Sequence, residues 1–418
     1  MLPNGWERTN LVELIDIKHG FAFKSEFFRD YGNHILLTPG SFYESGGFRD
    51  QGVKTKYYAG VIPDAYLLSK EDLLVAMTEQ GAGLLGSTLF VPESNLFLHN
   101  QRLGKIVIKY REKICKDFIF LTFNSPPIRK QISEQSTGTK VKHTSPDKLK
   151  SVVCLLPPLP EQKKIATILS TWDKSISTTE RLIDNSKQQK KALMQQLLTG
   201  KKRLLDDSGK PFEGEWEWCT LDKVSDVKGG KRLPKGNSLT DIPNSHPYIR
   251  VADMFMGGVD VKNILYVPEE IVPSIKNYTI SKDDLFITVA GTLGIVGEIP
   301  PLLDGANLTE NADKLTNISC NKKFLLYVLK SPIIQRYVDA ESTQNAQPKL
   351  ALARIRSFKV PLPKPIEQKK IASILSNADK ETKLLEQQLA DLKQEKKALM
   401  QQLLTGSRRV KLKIKEDL

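Results

Sequence analysis

The sequence predicts an α/β (α+β) protein: two domains with curved sheets, separated by two long helices that pair as an antiparallel coiled coil. Three observations carry that prediction. A 40-residue segment occurs twice at an offset of 206 residues with 25 identities, which marks a tandem duplication. Each copy has an unbroken helical composition, whereas the residues before it alternate short strand-like runs with turns. At 418 residues the chain is also too long for one ordinary core.

The first copy runs from Glu161 to Gly200 and the second from Glu367 to Gly406. Upstream the repeat is fainter. Phe118–Ser125 faces Phe324–Ser331, and Trp6, Leu11, Asp16, Lys18 and Gly20 recur as Trp216, Leu221, Asp226, Lys228 and Gly230. Ser69–Leu73 recurs as Ser281–Leu285. The expected organisation is a domain over 1–155, a long helix over 156–200, a linker over 201–206, a second domain over 207–360, a second helix over 361–406 and a basic tail over 407–418. The helices have stayed alike while the domains have diverged, the pattern of one scaffold carrying two different modules.

Each helix is bracketed by its own punctuation. Pro160 suits the first helical position, Glu161 the first turn and Gly200 the C-terminal cap, and Pro365 and Gly406 bracket the second copy. A heptad seam follows from the spacing of Ile165, Leu169, Trp172, Ile176, Thr179, Ile183, Ser186, Lys190, Leu193 and Leu197. The second copy has Ile371, Leu375, Ala378, Thr382, Leu385, Leu389, Leu392, Lys396, Leu399 and Leu403. So narrow a stripe asks for a partner helix, although each helix could instead pack only on its own domain. Lys190 and Lys396 occupy matching seam positions, where a polar group fixes register. About 38 helical residues span roughly 57 Å. Chain order favours an antiparallel pair that acts as a ruler between the domains.

Within the domains, Leu73–Ala76 and Leu285–Val289 read as buried strands followed by glycine turns at Gly81, Gly83 and Gly86, and at Gly291, Gly294 and Gly297. Short helices are expected near Phe118–Asn124 and Phe324–Lys330.

The net charge of +14 points to a polyanionic partner. Its excess is concentrated: residues 140–203 and 346–418 each carry +9, leaving −4 for the remainder. The opening MLPNGWERTN lacks the pattern of a signal peptide, and no apolar run reaches the roughly 18 residues of a membrane span. A cytoplasmic location is expected. Cys115, Cys154, Cys219 and Cys320 lack metal spacing, so neither a disulfide nor a metal is expected.

Several loops carry side chains suited to DNA. In the first domain these are Lys18, Lys24, Lys54, Lys56, Gln101, Arg102, Thr137, Lys140 and Lys142. In the second they are Lys228, Lys231, Arg232, Lys235, Arg250, Lys314, Thr343, Gln344 and Lys349. Arginine and lysine match guanine edges, asparagine and glutamine match adenine, and threonine and lysine hold phosphates. Asn100–Arg102 is expected to correspond to Asn311–Lys314. No Walker A loop, dinucleotide fingerprint, zinc-protease motif or nucleophile elbow is present, and no catalytic residue is assigned.

These residues resemble the HsdS specificity subunits of Type I restriction-modification systems. The resemblance is carried by Pro157-Pro158-Leu159-Pro160-Glu161-Gln162 and by Pro361–Gln368, each opening a helix that ends in Leu-Leu-Thr-Gly. Gly230–Gly236, with Tyr248–Val251 and Asp253, looks like the start of a target-recognition domain, whereas the first domain departs from it with Gly20–Lys24. The resemblance implies two target-recognition domains, each docking in the major groove over one half of an asymmetric, bipartite double-stranded DNA site. It implies two modification (methyltransferase) subunits using S-adenosylmethionine, and restriction subunits using ATP and Mg for translocation and cleavage. This chain would hold neither cofactor, would serve host defence and would not touch a membrane. Two other classes stay open from the residues alone: a stand-alone DNA-modifying or cleaving enzyme with a degenerate motif, and a coiled-coil scaffold unrelated to DNA.

Overall fold

The computed structural model describes residues 2–79, 83–342 and 349–412. It falls into two compact units, 1–179 with 388–418, and 180–387. The division cuts through the long helices instead of at their ends, so each unit contains a globular part and half of each helix.

In the first unit, β1 (Ile15–His19), β2 (Leu73–Ala76), β3 (Thr88–Phe90) and β4 (Leu103–Ile108) form an antiparallel sheet in the order β1-β4-β2-β3. All four residues of β2 are buried because both faces of the sheet are covered. Leu73 and Val75 pack with α1 (Lys116–Phe123) and α2 (Pro126–Glu134) through Phe118, Ile119 and Ile128. Leu74 and Ala76, pointing the other way, pack with Leu37, Phe42 and Phe97 around a second four-stranded sheet. The first long helix, α3 (Leu159–Leu197), adds Ile165 and Leu169 to the helix-side core.

The second unit repeats this plan. β5 (Asp226–Gly229), β6 (Leu285–Thr288), β7 (Val296–Glu298) and β8 (Ala312–Thr316) take the order β5-β8-β6-β7. Leu285 and Ile287 face α4 (Lys322–Lys330) and α5 (Pro332–Ser342), while Phe286 faces a second sheet through Ile249, Ile280 and Leu308. The second long helix is α6 (Pro365–Leu404). It starts at the expected proline, and α3 starts one residue before its own. Gly200 and Gly406, both at φ +71°, turn the chain after the last helical turns in the left-handed conformation that glycine tolerates.

Every predicted seam residue of α3 and α6 is buried or half-buried, and their solvent-side neighbours are exposed. In the first unit Leu403 joins Ile165 and Leu169, and the Lys396 ammonium lies 2.5 Å from Asp173. In the second, Leu197 joins Ile371 and Leu375, the Ser186 and Thr382 hydroxyls are 2.8 Å apart, and Lys190 pairs with Asp379. Rising numbers on one helix meet falling numbers on the other, so the pairing is antiparallel within each unit. Both seam lysines thus have acidic partners on the facing helix, which makes register chemically specific.

The helix starts are held by a duplicated clamp. Glu161 accepts from Trp6 Nε1 at 3.0 Å and from Arg409 Nε and Nη2 at 2.7 and 2.8 Å. Glu367 accepts from Trp216 Nε1 at 3.2 Å and from Arg203 Nε and Nη2 at 2.8 and 2.9 Å. Beside each, a glutamine caps loose backbone: Gln162 accepts from Cys115 N–H and donates to Pro157 C=O, and Gln368 accepts from Asn321 N–H and donates to Pro363 C=O. The linker at 201–206 and the start of the tail therefore do more than connect or trail, because Arg203 and Arg409 neutralise buried carboxylates. Removing one partner of a buried pair strands the other charge in low dielectric. Arg203→Ala should destabilise the second unit by about 3 kcal/mol, read as faster amide exchange around Leu197 and Leu198.

Candidate nucleic-acid interface

Backbone hydrogen bonds bring three of the predicted loops of the first unit to one place. Phe21 N–H donates to His99 C=O, and Gln101 N–H donates to Phe21 C=O, tying the 20–24 segment to the 99–102 turn. Met77 N–H then donates to Arg102 C=O, while Thr144 N–H donates to Met77 C=O, joining the 137–144 segment. The approach of the first two loops needs a glycine: a Cβ on Gly20 would lie 2.1 Å from the Asn100 carbonyl oxygen.

The second unit builds the same junction from different residues. Lys231 N–H donates to Leu308 C=O, Val289 N–H donates to Asn311 C=O, and Leu350 N–H donates to Val289 C=O. A Cβ on Gly230 would lie 2.0 Å from the Thr309 carbonyl oxygen. This geometry corrects one expectation. Asn100–Arg102 corresponds to Thr309–Asn311, not to Asn311–Lys314, because the carbonyls of Arg102 and Asn311 play the same part. The shared Asn-x-x spelling was a coincidence of sequence two residues out of register.

The predicted side chains distribute unevenly over this frame. Lys18, on β1, and Lys24, Gln101, Arg102, Thr137 and Lys140 are exposed at or beside the first junction, and Lys142 is half-buried with its ammonium on Ser133 Oγ. Lys54 and Lys56 belong to the second sheet's periphery, Lys56 pairing with Asp30 at 3.1 Å. In the second unit, Lys231, Arg232, Lys235 and Lys349 are exposed, and Lys228 lies 3.4 Å from Asp226. Arg250 is spent on structure, donating to both Asp253 oxygens and to Asn263 C=O, and Lys314 donates to Thr279 C=O. Thr343 and Gln344 lie outside the described residues.

Sequence reasoning missed the helix residues that hold the glycine turns. Arg129 on α2 donates to Gly83 C=O, and its counterpart Gln335 on α5 donates to Gly294 C=O at 3.1 Å. The 206-residue offset aligns them, but their unlike chemistry hid the shared role. It also missed two buried titratable groups. His99 is driven down to about 4 by burial, so its imidazole, 3.0 Å from Leu103 C=O, is neutral and offers no cation to a phosphate. Asp313 on β8 is pushed up to about 6 by burial, against the pull of Lys349 and Arg356. Gly104 takes the same ladder position in the first unit.

The repeated frame with divergent loops matches a known family. The model for the Type I restriction modification DNA specificity domain fits twice, over residues 3–186 and 213–394. The chain belongs to this family. Among its relatives, the Type I restriction enzyme EcoBI specificity subunit of Escherichia coli is 27% identical over 392 residues, 88% of this chain and 78% of that one. The MjaVIII specificity subunit of Methanocaldococcus jannaschii is 24% identical over 380 residues, 88% of this chain and 86% of that one. The fold matches the S subunit of a Type I restriction-modification system from M. genitalium, with a TM-score of 0.59, 17% identity, and 97% and 98% of the two chains covered. It also matches a chain from a study of assembly and conformational transition of the type I R-M system, with a TM-score of 0.58, 17% identity, and 98% and 100% covered. Among the described residues, no helix is long and apolar enough to cross a membrane.

A raised carboxylate pKa has a definite sign. Protonated Asp313 favours the folded state, an advantage complete below pH about 4 and lost as pH rises through about 6. Asp313→Asn should therefore remove a stability decline of about 2 kcal/mol between pH 4 and 7.5, measured by denaturant unfolding at the two pH values.

Proposed function

We propose that this chain is the DNA-specificity subunit of a Type I restriction-modification complex, with one junction reading each half of an asymmetric, bipartite site. The observation that carries the reading is the duplicated junction: one backbone frame, built twice, presents Gln101, Arg102 and Lys140 in one unit and Lys231, Arg232 and Lys349 in the other. A frame kept constant while its exposed side chains differ is what two unlike half-sites require. The paired helices act as the spacer that sets the number of unread base pairs.

Catalysis belongs to partner subunits in this reading. Two modification subunits bind around the helices and supply S-adenosylmethionine-dependent N6-adenine methylation, and restriction subunits supply ATP- and Mg-dependent translocation and cleavage. The relatives are named specificity subunits, which supports a non-catalytic role. The solved relative from a study of complex assembly supports partner proteins. The complex works on cytoplasmic DNA.

The test is methylation mapping in a host that carries only this chain and its modification subunit. Exchanging residues 207–360 for those of another family member should change one half of the methylated site and leave the other intact. Altered methylation in both halves would remove the modular reading, and methylation by the purified chain alone would favour a self-sufficient enzyme. Lengthening α3 and α6 by one turn each should widen the gap between unchanged half-sites; an unchanged gap would remove the spacer role.

A further inference from the structure

Arg232 differs from the two clamp arginines, Arg203 and Arg409, in what its pairing leaves unused. Arg203 and Arg409 hold a glutamate with Nε and Nη2 and close the third nitrogen on a backbone carbonyl, Gly214 and Asn4 respectively. Arg250 gives Nε and Nη2 to Asp253 and Nη2 also to Asn263 C=O, and its side chain is less than half as exposed as that of Arg232. Those three are mortar. Arg232 donates Nε to Glu310 Oε1 at 2.9 Å and brings Nη2 within 2.8 Å of the same oxygen. Among the described residues nothing takes Nη1, and the side chain is 73% exposed. A guanidinium has five N–H donors in a planar fork. With its Nε side anchored, the donors that remain lie along the Nη1–Nη2 end.

The anchor is itself held. Glu310 Oε2 accepts from the Thr309 hydroxyl at 3.1 Å, and Thr309 is buried. The loop under Arg232 is fixed on both sides. Tyr248 donates its hydroxyl to Lys231 C=O at 2.8 Å, Lys231 N–H donates to Leu308 C=O, and the Lys231 ammonium sits 5.5 Å from the Tyr278 ring centre. An exposed ion pair adds little to stability. An arginine fork held rigid at the edge of a loop junction is instead what bidentate recognition of guanine O6 and N7 needs.

We infer that Arg232, oriented by Glu310, reads a guanine in the half-site bound by the second unit. Arg232 is the specificity-determining residue and Glu310 its positioning residue. The aligned junctions put Ala22 and Gln101 at these two places in the first unit, so the other half-site lacks this contact. The inference rests on the proposed reading of the second unit as a DNA reader.

The experiment is genome-wide methylation mapping with the full chain and its modification subunit, comparing wild type, Arg232→Ala, Arg232→Lys and Glu310→Gln. The half-site belonging to the second unit is assigned by the 207–360 exchange. Arg232→Ala should relax a single G·C position in that half by roughly 5- to 100-fold, with the other half unchanged. Arg232→Lys should fail to restore it, and Glu310→Gln should relax the same position more weakly. An unaltered base preference in Arg232→Ala, or uniform weakening at all sites as for a phosphate contact, would overturn the inference. Where a variant methylates too little to map, the purified complex is tested on duplexes carrying each base at that position, and retained discrimination likewise overturns it. A wild-type site without guanine in that half defeats the Arg232 inference alone. The absence of any recurrent bipartite site in wild type defeats the specificity-subunit reading itself.

Discussion

A carboxylate with almost no contact with water stands at the start of each long helix, and the fold is arranged to neutralise it. The Glu161 side chain is 2% exposed and Glu367 is fully buried. An isolated charge there would be untenable, so each must find a cation and hydrogen-bond donors. The cation comes from the residues just past the C-terminal end of the other long helix, Arg409 for Glu161 and Arg203 for Glu367. The indole donor comes from Trp6 or Trp216, the residue directly before the strand Glu7–Asn10 or Glu217–Thr220. One ion pair therefore ties three chain segments together, and it forms only if the helices run antiparallel in the observed register. In this way the choice of neighbour is enforced by electrostatics, and the apolar seam then supplies contact area.

That division of labour explains why the helices stayed alike as the domains diverged. A change at Glu161, Gln162 or Arg409 strands a buried polar group, so the cost is immediate and local. A change at Gln101 or Arg102, or at Lys231 or Lys235, alters only an exposed side chain on a frame made by backbone hydrogen bonds. Because Phe21, His99, Met77 and Thr144 contribute main-chain groups to the junction, its geometry is insensitive to most of the side chains it presents. The exceptions are Gly20 and Gly230, where a Cβ would collide with the facing carbonyl.

Much of this architecture could be read in the sequence, for a physical reason. Heptad spacing is a local pattern, so the seam from Ile165 to Leu197 and from Ile371 to Leu403 announced itself, as did the buried strands at Leu73 and Leu285. The clamp did not, because Glu161 and Arg409 are 248 residues apart and a glutamate in a first helical turn already had a sufficient local explanation. Nor did the apolar run of β2 reveal a second sheet: a run buried on both faces looks the same whichever element covers each face. The register slip at Asn100–Arg102 has the same origin. Letter identity over three residues is weaker information than the hydrogen-bond partner of a single carbonyl. The proposed DNA-facing set was the least readable, since Arg250 and Arg232 look alike as letters and differ in exposure and in the Asn263 carbonyl that Arg250 also meets.

The two junctions also differ in how their cations are held. In the second unit most positive groups have an internal partner: Lys228 has Asp226, Arg232 has Glu310, and Lys231 has the Tyr278 ring. In the first, Arg102 and Lys140 stand exposed with no side-chain partner among the described contacts, and Lys24 meets Glu26 only at 3.8 Å. A cation without a partner gains more from a phosphate, and loses more of that gain as salt screens it, than one already balanced by a carboxylate. A balanced cation gives up attraction but keeps its orientation. The first junction thus keeps more attraction for a polyanion and the second keeps its donors more fixed, a difference in physical character that the same fold supports because its frame is made by backbone hydrogen bonds.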